Sequence, residues 1–96
     1  MGDGGEKRTS QRIQVEIPVH IGGNTAVSRD VGWAGIYFLA NRTYPEGQAL
    51  NFSLDLSYAW PGKPIRLGCQ GEVVRVEQRG RQFGIAAKIN NFKYLH

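Results

Sequence analysis

Most of the residue patterns that mark an enzyme are missing from this chain of 96 residues. Neither histidine has a cysteine or a second histidine at the spacing of a metal site. No serine lies in a nucleophile elbow, and no glycine-rich loop ends in the Lys-Ser or Lys-Thr pair of a phosphate-binding loop. These absences predict a protein that acts by binding rather than by catalysis, with no metal and no cofactor.

Cysteine is scarce, and long apolar runs are missing. Cys69 is the only cysteine, so no disulfide can form within the chain, and we expect a reducing, cytoplasmic setting. Cys69 falls on the apolar side of its predicted strand, which favours a small buried side chain over a nucleophile. No segment reaches the roughly 20 apolar residues of a membrane-spanning helix, and the first residues lack the apolar core of a signal peptide.

The chain does have an excess of positive charge, which is clustered. A formal net charge of +4 and an isoelectric point near 9.6 favour an anionic partner. One basic cluster precedes the first strand, and the other surrounds a turn near the end; they consist of Lys7, Arg8 and Arg12, and of Arg75, Arg79 and Arg81. Residues 1–12 have no apolar side chain after Met1, so we expect a flexible basic arm followed by a folded domain at 13–96.

Alternating apolar and polar residues predict six short strands and no helix of useful length. The predicted strands cover residues 13–21, 25–31, 36–40, 50–58, 65–76 and 83–89. Pro18 indicates an edge or a bulge in the first strand, and a change of apolar parity in the fifth predicts a bulge near Gly71. Only residues 90–96 are compatible with a helical turn. Six strands joined by glycine-rich turns predict an all-β fold, a closed or nearly closed antiparallel barrel.

Two segments carry residues suited to binding a nucleotide. In Arg8-Thr9-Ser10-Gln11-Arg12, two guanidiniums separated by three residues lie directly before the first strand, and such groups bind phosphates and stack on flat bases. Asp30-Val31-Gly32-Trp33-Ala34-Gly35 is a turn whose carboxylate can accept two hydrogen bonds from guanine. Taken separately, a solvated tail and a glycine turn capped by Asp30 account for these segments at least as well.

Taken together and in this order, the two segments resemble the signature of the PilZ domain. That signature is Arg-x-x-x-Arg before the first strand and Asp-x-Ser-x-x-Gly after the second. The resemblance covers residues 7–89, and residues 71–77 followed by Phe83-Gly84-Ile85 resemble the last hairpin of the family. It implies a six-stranded antiparallel PilZ-type β-barrel, typically bacterial and cytoplasmic, that binds the second messenger cyclic di-GMP.

The resemblance also implies a role for five residues. Arg8 and Arg12 would hold the phosphates and stack on guanine as the arm closes over the ligand. Asp30 would bind a guanine edge, and Gly35 would leave room for the ligand against the barrel. Gly32 stands where the family has serine. The missing hydroxyl removes a hydrogen bond of about 0.5–1.5 kcal/mol, which is up to roughly tenfold in affinity.

The predicted function is that of a cyclic di-GMP receptor whose closing arm alters a surface recognised by a downstream protein. The alternative keeps the fold without the nucleotide, as a PilZ-like module that binds a protein directly. Tyr37 and Leu39 are expected to be exposed, and such apolar side chains suit either function. An oligonucleotide-binding barrel and a flavin-binding split barrel are alternatives of other classes, although binding of nucleic acid is not expected. Trp33 either stacks on a base or packs at the barrel end.

Overall fold

The computed structural model describes residues 12–58, 62 and 65–95. These residues form seven strands and one short 3₁₀ turn at Leu56–Tyr58. The strands are β1 (Ile13–Gln14), β2 (Pro18–Ile21), β3 (Asn24–Val31), β4 (Gly35–Ala40), β5 (Ala49–Asp55), β6 (Arg66–Arg79) and β7 (Gln82–Leu95). Within this part of the chain, no helix is long and apolar enough to cross a membrane.

The strands close into an antiparallel barrel of six positions. Following the hydrogen-bonded neighbours around the barrel gives β2, β3, β4, β7, β6, β5 and again β2. β1 pairs with β3 in line with β2, so β1 and β2 together occupy one position of the barrel. The predicted six-stranded antiparallel barrel is therefore confirmed, with the first predicted strand divided into two.

A buried serine supports the break between β1 and β2. Pro18 has no amide hydrogen to donate to a neighbouring strand. At this break, Ser28 on β3 accepts a hydrogen bond from the amide of Ile17 at 3.0 Å and donates one to the carbonyl of Val15. Ser28 is fully buried, and its hydroxyl satisfies backbone groups that the interrupted ladder leaves open. This arrangement keeps β1 alongside the end of β3.

The long hairpin of β6 and β7 contains the predicted bulge and corrects the predicted end of the chain. The register shifts between Gln70 and Gly71, where the extra residue is Asn90 on β7, and again between Val73 and Arg75, where the extra residue is Val74 on β6. The second shift explains the change of parity along β6. The helical turn considered for residues 90–96 is wrong, because β7 continues to Leu95. Its last residues pair with the start of β6, which reaches back to Arg66.

The core fills the inside of the barrel with alternate residues from every long strand. Its largest fully buried apolar side chains are Phe38, Ile17, Ile36, Leu54, Ile85, Val19 and Val73. Cys69 is also buried, as its parity predicted. Alternate residues of β4 point into this core, so Gly35 and Tyr37 lie on its outer side. Asp30 has the parity of the buried Ala26 and Ser28, but the register shift between Ser28 and Asp30 turns Asp30 to the outer surface as well.

Candidate functional site

An ion pair joins the end of the predicted arm to the predicted guanine-binding carboxylate. Pairing of β1 with β3 places Ile13 opposite Val31, so Arg12 lies beside the C-terminal end of β3. There, Nη1 of Arg12 donates to Oδ1 of Asp30 at 2.6 Å. The side chains are 49% and 25% exposed, so both remain accessible from solvent. A pair this open contributes about 0–1 kcal/mol to stability, which means a ligand can rearrange it at little cost.

Gly35 lies next to the Arg12 guanidinium in a crowded part of the barrel surface. Gly35 is buried at the start of β4, opposite Lys88 on β7. A Cβ at this position would lie 3.0 Å from the carbonyl oxygen of Ala87 and 3.6 Å from Nη2 of Arg12. Arg12 is therefore a neighbour of Asp30 and Gly35, although it lies 18 positions before Asp30 in the sequence. Arg8, which is also a predicted site residue, lies outside the described residues.

Gly32 lies on the turn between β3 and β4. Its amide donates to the carbonyl of Gly35 at 2.8 Å, which closes the turn. Gly32 is not among the glycines of the described chain that have a positive φ. It lines a small apolar cavity at the end of the barrel, together with Trp33 and Phe92.

That apolar cavity has a volume of about 160 Å³ and an exposed aromatic rim. The side chain of Trp33 is 72% exposed, and its ring centroid lies 5.5 Å from that of Phe92 with the planes tilted by 32°. Ile13, also exposed, lines the same cavity. Trp33 therefore lies at the barrel end with most of its side chain exposed, and stacking of its ring on a base stays a prediction.

A separate, polar groove of about 390 Å³ is lined in part by Asp30. We call it the Asp30 groove; its polar lining residues are Gln14, Glu16, Arg29, Asp30, Tyr37 and Arg79. The volume lies in the range of about 300–1,000 Å³ that is usual for small-molecule sites. Two arginines and two carboxylates therefore face one opening, a mixture suited to a ligand with both phosphates and base edges.

Tyr37 is fixed on the wall of this groove by a hydrogen-bond network. Its hydroxyl donates to Oε2 of Glu77 at 2.6 Å, and Nη1 of Arg79 donates to both, at 3.3 Å to Tyr37 and 3.1 Å to Glu77. Burial and the bond to Glu77 raise the pKa of Tyr37, while the same bond and Arg79 lower the pKa of Glu77. The phenol is therefore neutral and the carboxylate charged at neutral pH.

Gly84 provides the space for this network. It lies opposite both Leu39 and Glu77, between β4 and β6. A Cβ at Gly84 would overlap the hydroxyl of Tyr37 and would lie 3.1 Å from Cγ of Arg79. Sequence analysis missed Arg29 and Tyr37 as site residues and gave Arg79 only as part of a basic cluster. The parity of β4 carries a usable signal for Tyr37, since it lies on the same side as Gly35.

Cys69 shows none of the features of a reactive thiol. Burial raises its pKa to about 11, so the thiol is protonated at neutral pH. Among the described residues, no three side chains of His, Cys, Asp or Glu come together as metal ligands would.

Comparison with known proteins supports the fold at low sequence identity. No family model matches the chain, and no curated protein matches it. Among solved structures, it is similar to the Bacillus subtilis inhibitor of motility, MotI/DgrA, with a TM-score of 0.78 and 13% identity. The match covers 91% of this chain and 44% of that one, so this chain spans less than half of its structural neighbour. The fold is accordingly that of a PilZ-like barrel.

Proposed function

We propose that this chain is a cyclic di-GMP receptor domain. The observation that carries the proposal is the Arg12–Asp30 ion pair beside Gly35, with its residues in the order of the PilZ signature and on a PilZ-like barrel. Arg12, with Arg8, binds the phosphates, and Asp30 binds the Watson–Crick edge of a guanine. Gly35 leaves room for the ligand close against the sheet.

Closure of residues 1–12 over the nucleotide is the second part of the proposal. Bound phosphates would hold Arg8 and Arg12 together on one side of the barrel. The repositioned arm then presents a different surface to a downstream protein. Ordering the arm costs conformational entropy, so we expect the affinity to be modest for the number of charged contacts.

The decisive experiment is isothermal titration of the purified chain with cyclic di-GMP. Wild type is expected to bind, and Arg12→Ala to bind at least tenfold more weakly, because a charge-assisted hydrogen bond contributes about 1.5–3 kcal/mol. Arg42→Ala is the matched control, since it removes the same charge from an exposed side chain that packs on Tyr44 outside the groove.

Tryptic digestion of the same samples tests arm closure. Cleavage after Lys7, Arg8 and Arg12 should slow when the ligand is saturating. Wild type that releases no heat at millimolar ligand would contradict the receptor function. Binding with unchanged cleavage would contradict arm closure alone.

A second candidate function is favoured by the apolar cavity at the barrel end. Trp33, Phe92 and Ile13 expose apolar surface around it, which suits insertion of an apolar side chain from a partner protein. The half-buried Tyr37 and Leu39, which suggested this alternative from sequence, contribute less exposed surface. If this is the function, Trp33→Ala should abolish binding of the partner protein, and cyclic di-GMP should not change that binding.

A further inference from the structure

Three side chains form a row across adjacent strands on the outer surface of the barrel. Gln14 on β1 lies opposite Asp30 on β3, and Asp30 lies opposite Tyr37 on β4. Directly opposed residues have Cβ atoms about 4.5–5.5 Å apart, so a flat ring bonded to Asp30 lies beside Tyr37. The next residue in the row, on β7, is the small Ala86. The row therefore leaves room for a planar group next to the tyrosine.

The Tyr37 ring is held in place before any ligand arrives. Glu77 and Arg79 bind its hydroxyl, and the missing side chain of Gly84 lets that hydroxyl lie against the sheet. The ring meanwhile lines the Asp30 groove. A fixed aromatic ring loses little conformational entropy when a base stacks on it, which favours binding.

On the basis of the proposed function, we infer that Tyr37 is a further ligand-binding residue, whose ring stacks with the guanine held by Asp30. Arg29 and Arg79 line the same groove and supply guanidiniums, the groups that bind the O6 and N7 atoms of guanine. The groove thus offers a carboxylate for one edge of guanine, guanidiniums for the other and an aromatic ring for its face.

Trp33 is the other aromatic residue near the motif, and its position does not suit this role. Its ring packs on Phe92 at the apolar cavity, and neither Asp30 nor Arg12 lines that cavity. Tyr37, by contrast, shares both a strand pair and a groove with Asp30. Stacking by Tyr37 therefore places the base where the carboxylate already is.

The test compares cyclic di-GMP binding by four proteins in isothermal titration: wild type, Tyr37→Phe, Tyr37→Leu and the control Tyr94→Leu. Tyr94 is 63% exposed near the end of β7, outside the groove. Loss of one base–aromatic stack should weaken binding by Tyr37→Leu roughly 5- to 150-fold. Tyr37→Phe keeps the ring but removes the bonds of its hydroxyl to Glu77 and Arg79, so it should bind more tightly than Tyr37→Leu and within about tenfold of wild type. Tyr94→Leu should match wild type.

A second measurement needs no variant and remains informative if Tyr37→Leu does not fold. In wild type saturated with cyclic di-GMP, we expect a nuclear Overhauser effect between the guanine H8 proton and the Tyr37 ring protons. Three results would each overturn the role of Tyr37. Tyr37→Leu could bind as tightly as wild type, the Phe and Leu variants could be weakened equally, or the Overhauser effect could be missing in the bound protein. The receptor function itself would stand in these cases if Arg12→Ala still weakened binding, and it fails only if wild type does not bind.

Discussion

Asp30 is already bonded to Arg12, and the proposed function requires the same carboxylate to bind guanine. A carboxylate has two oxygens and about four acceptor positions, and the bond to Arg12 engages Oδ1. The remaining positions are sufficient for the two N–H donors of a guanine edge. Arg12 and the base can therefore share Asp30, with the guanidinium also reaching a phosphate.

Gly32 is the position at which a single substitution is expected to strengthen ligand binding. Restoring the hydroxyl of the family motif with Gly32→Ser should tighten cyclic di-GMP binding roughly two- to tenfold, the effect of one hydrogen bond of about 0.5–1.5 kcal/mol. Strain from the backbone is not expected to cancel this gain, because the φ of Gly32 is not positive. Isothermal titration measures the gain, and thermal melting without ligand checks that stability is unchanged.

The location of Gly32 determines how a negative result is interpreted. Gly32 lines the apolar cavity rather than the Asp30 groove, so a serine hydroxyl must reach the ligand across the turn. If the variant is as stable as wild type and binds no more tightly, the turn does not contact the nucleotide. The protein-partner function then becomes the better account of this end of the barrel.

The proximity of Arg12, Asp30 and Gly35 follows from strand pairing, which the sequence pattern predicts well. Residues just before the first strand and at the end of the second meet when those strands are antiparallel neighbours. The contribution of Arg79 could not be predicted in the same way. It bonds to Tyr37 across 42 positions of sequence, because β7, and thus the hairpin carrying Arg79, packs next to β4. Strand order of this kind is set by closure of the whole barrel.

Among the elements, the hairpin of β6 and β7 depends most on one residue. Gly71 is buried at the bulge, where a Cβ would overlap the carbonyl of Lys88 on the neighbouring strand. Gly71→Ala should therefore lower the free energy of unfolding by about 1–3 kcal/mol, the usual effect of overpacking. Urea unfolding followed by fluorescence measures this.

Gly23→Ala is the matched control for that measurement. Gly23 is exposed in the turn between β2 and β3, has no atom within 4 Å of an added Cβ and does not have a positive φ. It should unfold within about 0.5 kcal/mol of wild type. Equal stability of the Gly71 and Gly23 variants would mean that β6 and β7 can separate at the bulge without loss.

The ends of the elements were harder to predict than their existence. β5 stops at Asp55 because its carboxylate accepts a hydrogen bond from the amide of Ser57 at 3.1 Å and turns the chain into the 3₁₀ segment. β7 runs on to Leu95 because the start of β6 offers it a partner, and Nδ2 of Asn91 donates to Oε1 of Gln70 at 2.8 Å. The alternation of residues within one strand gives no information on either contact. The strand predicted for 50–58 therefore ends too late, and the strand predicted for 83–89 ends too early.

At the scale of the whole molecule, the salt dependence of binding distinguishes a dinucleotide ligand from a long nucleic acid. A net charge of +4 attracts a dinucleotide and a long nucleic acid alike, but the number of phosphates engaged differs. Cyclic di-GMP has two phosphates, so raising salt from about 50 to 200 mM should weaken binding by at most about 16-fold. An oligonucleotide that engages six to ten phosphates would lose about 10³–10⁵ in affinity over the same range.

Titrations of wild type with cyclic di-GMP at several salt concentrations give the slope of affinity against salt concentration. A competing single-stranded oligonucleotide that binds more tightly at low salt, and loses affinity more steeply, would instead identify the barrel as a nucleic-acid-binding domain.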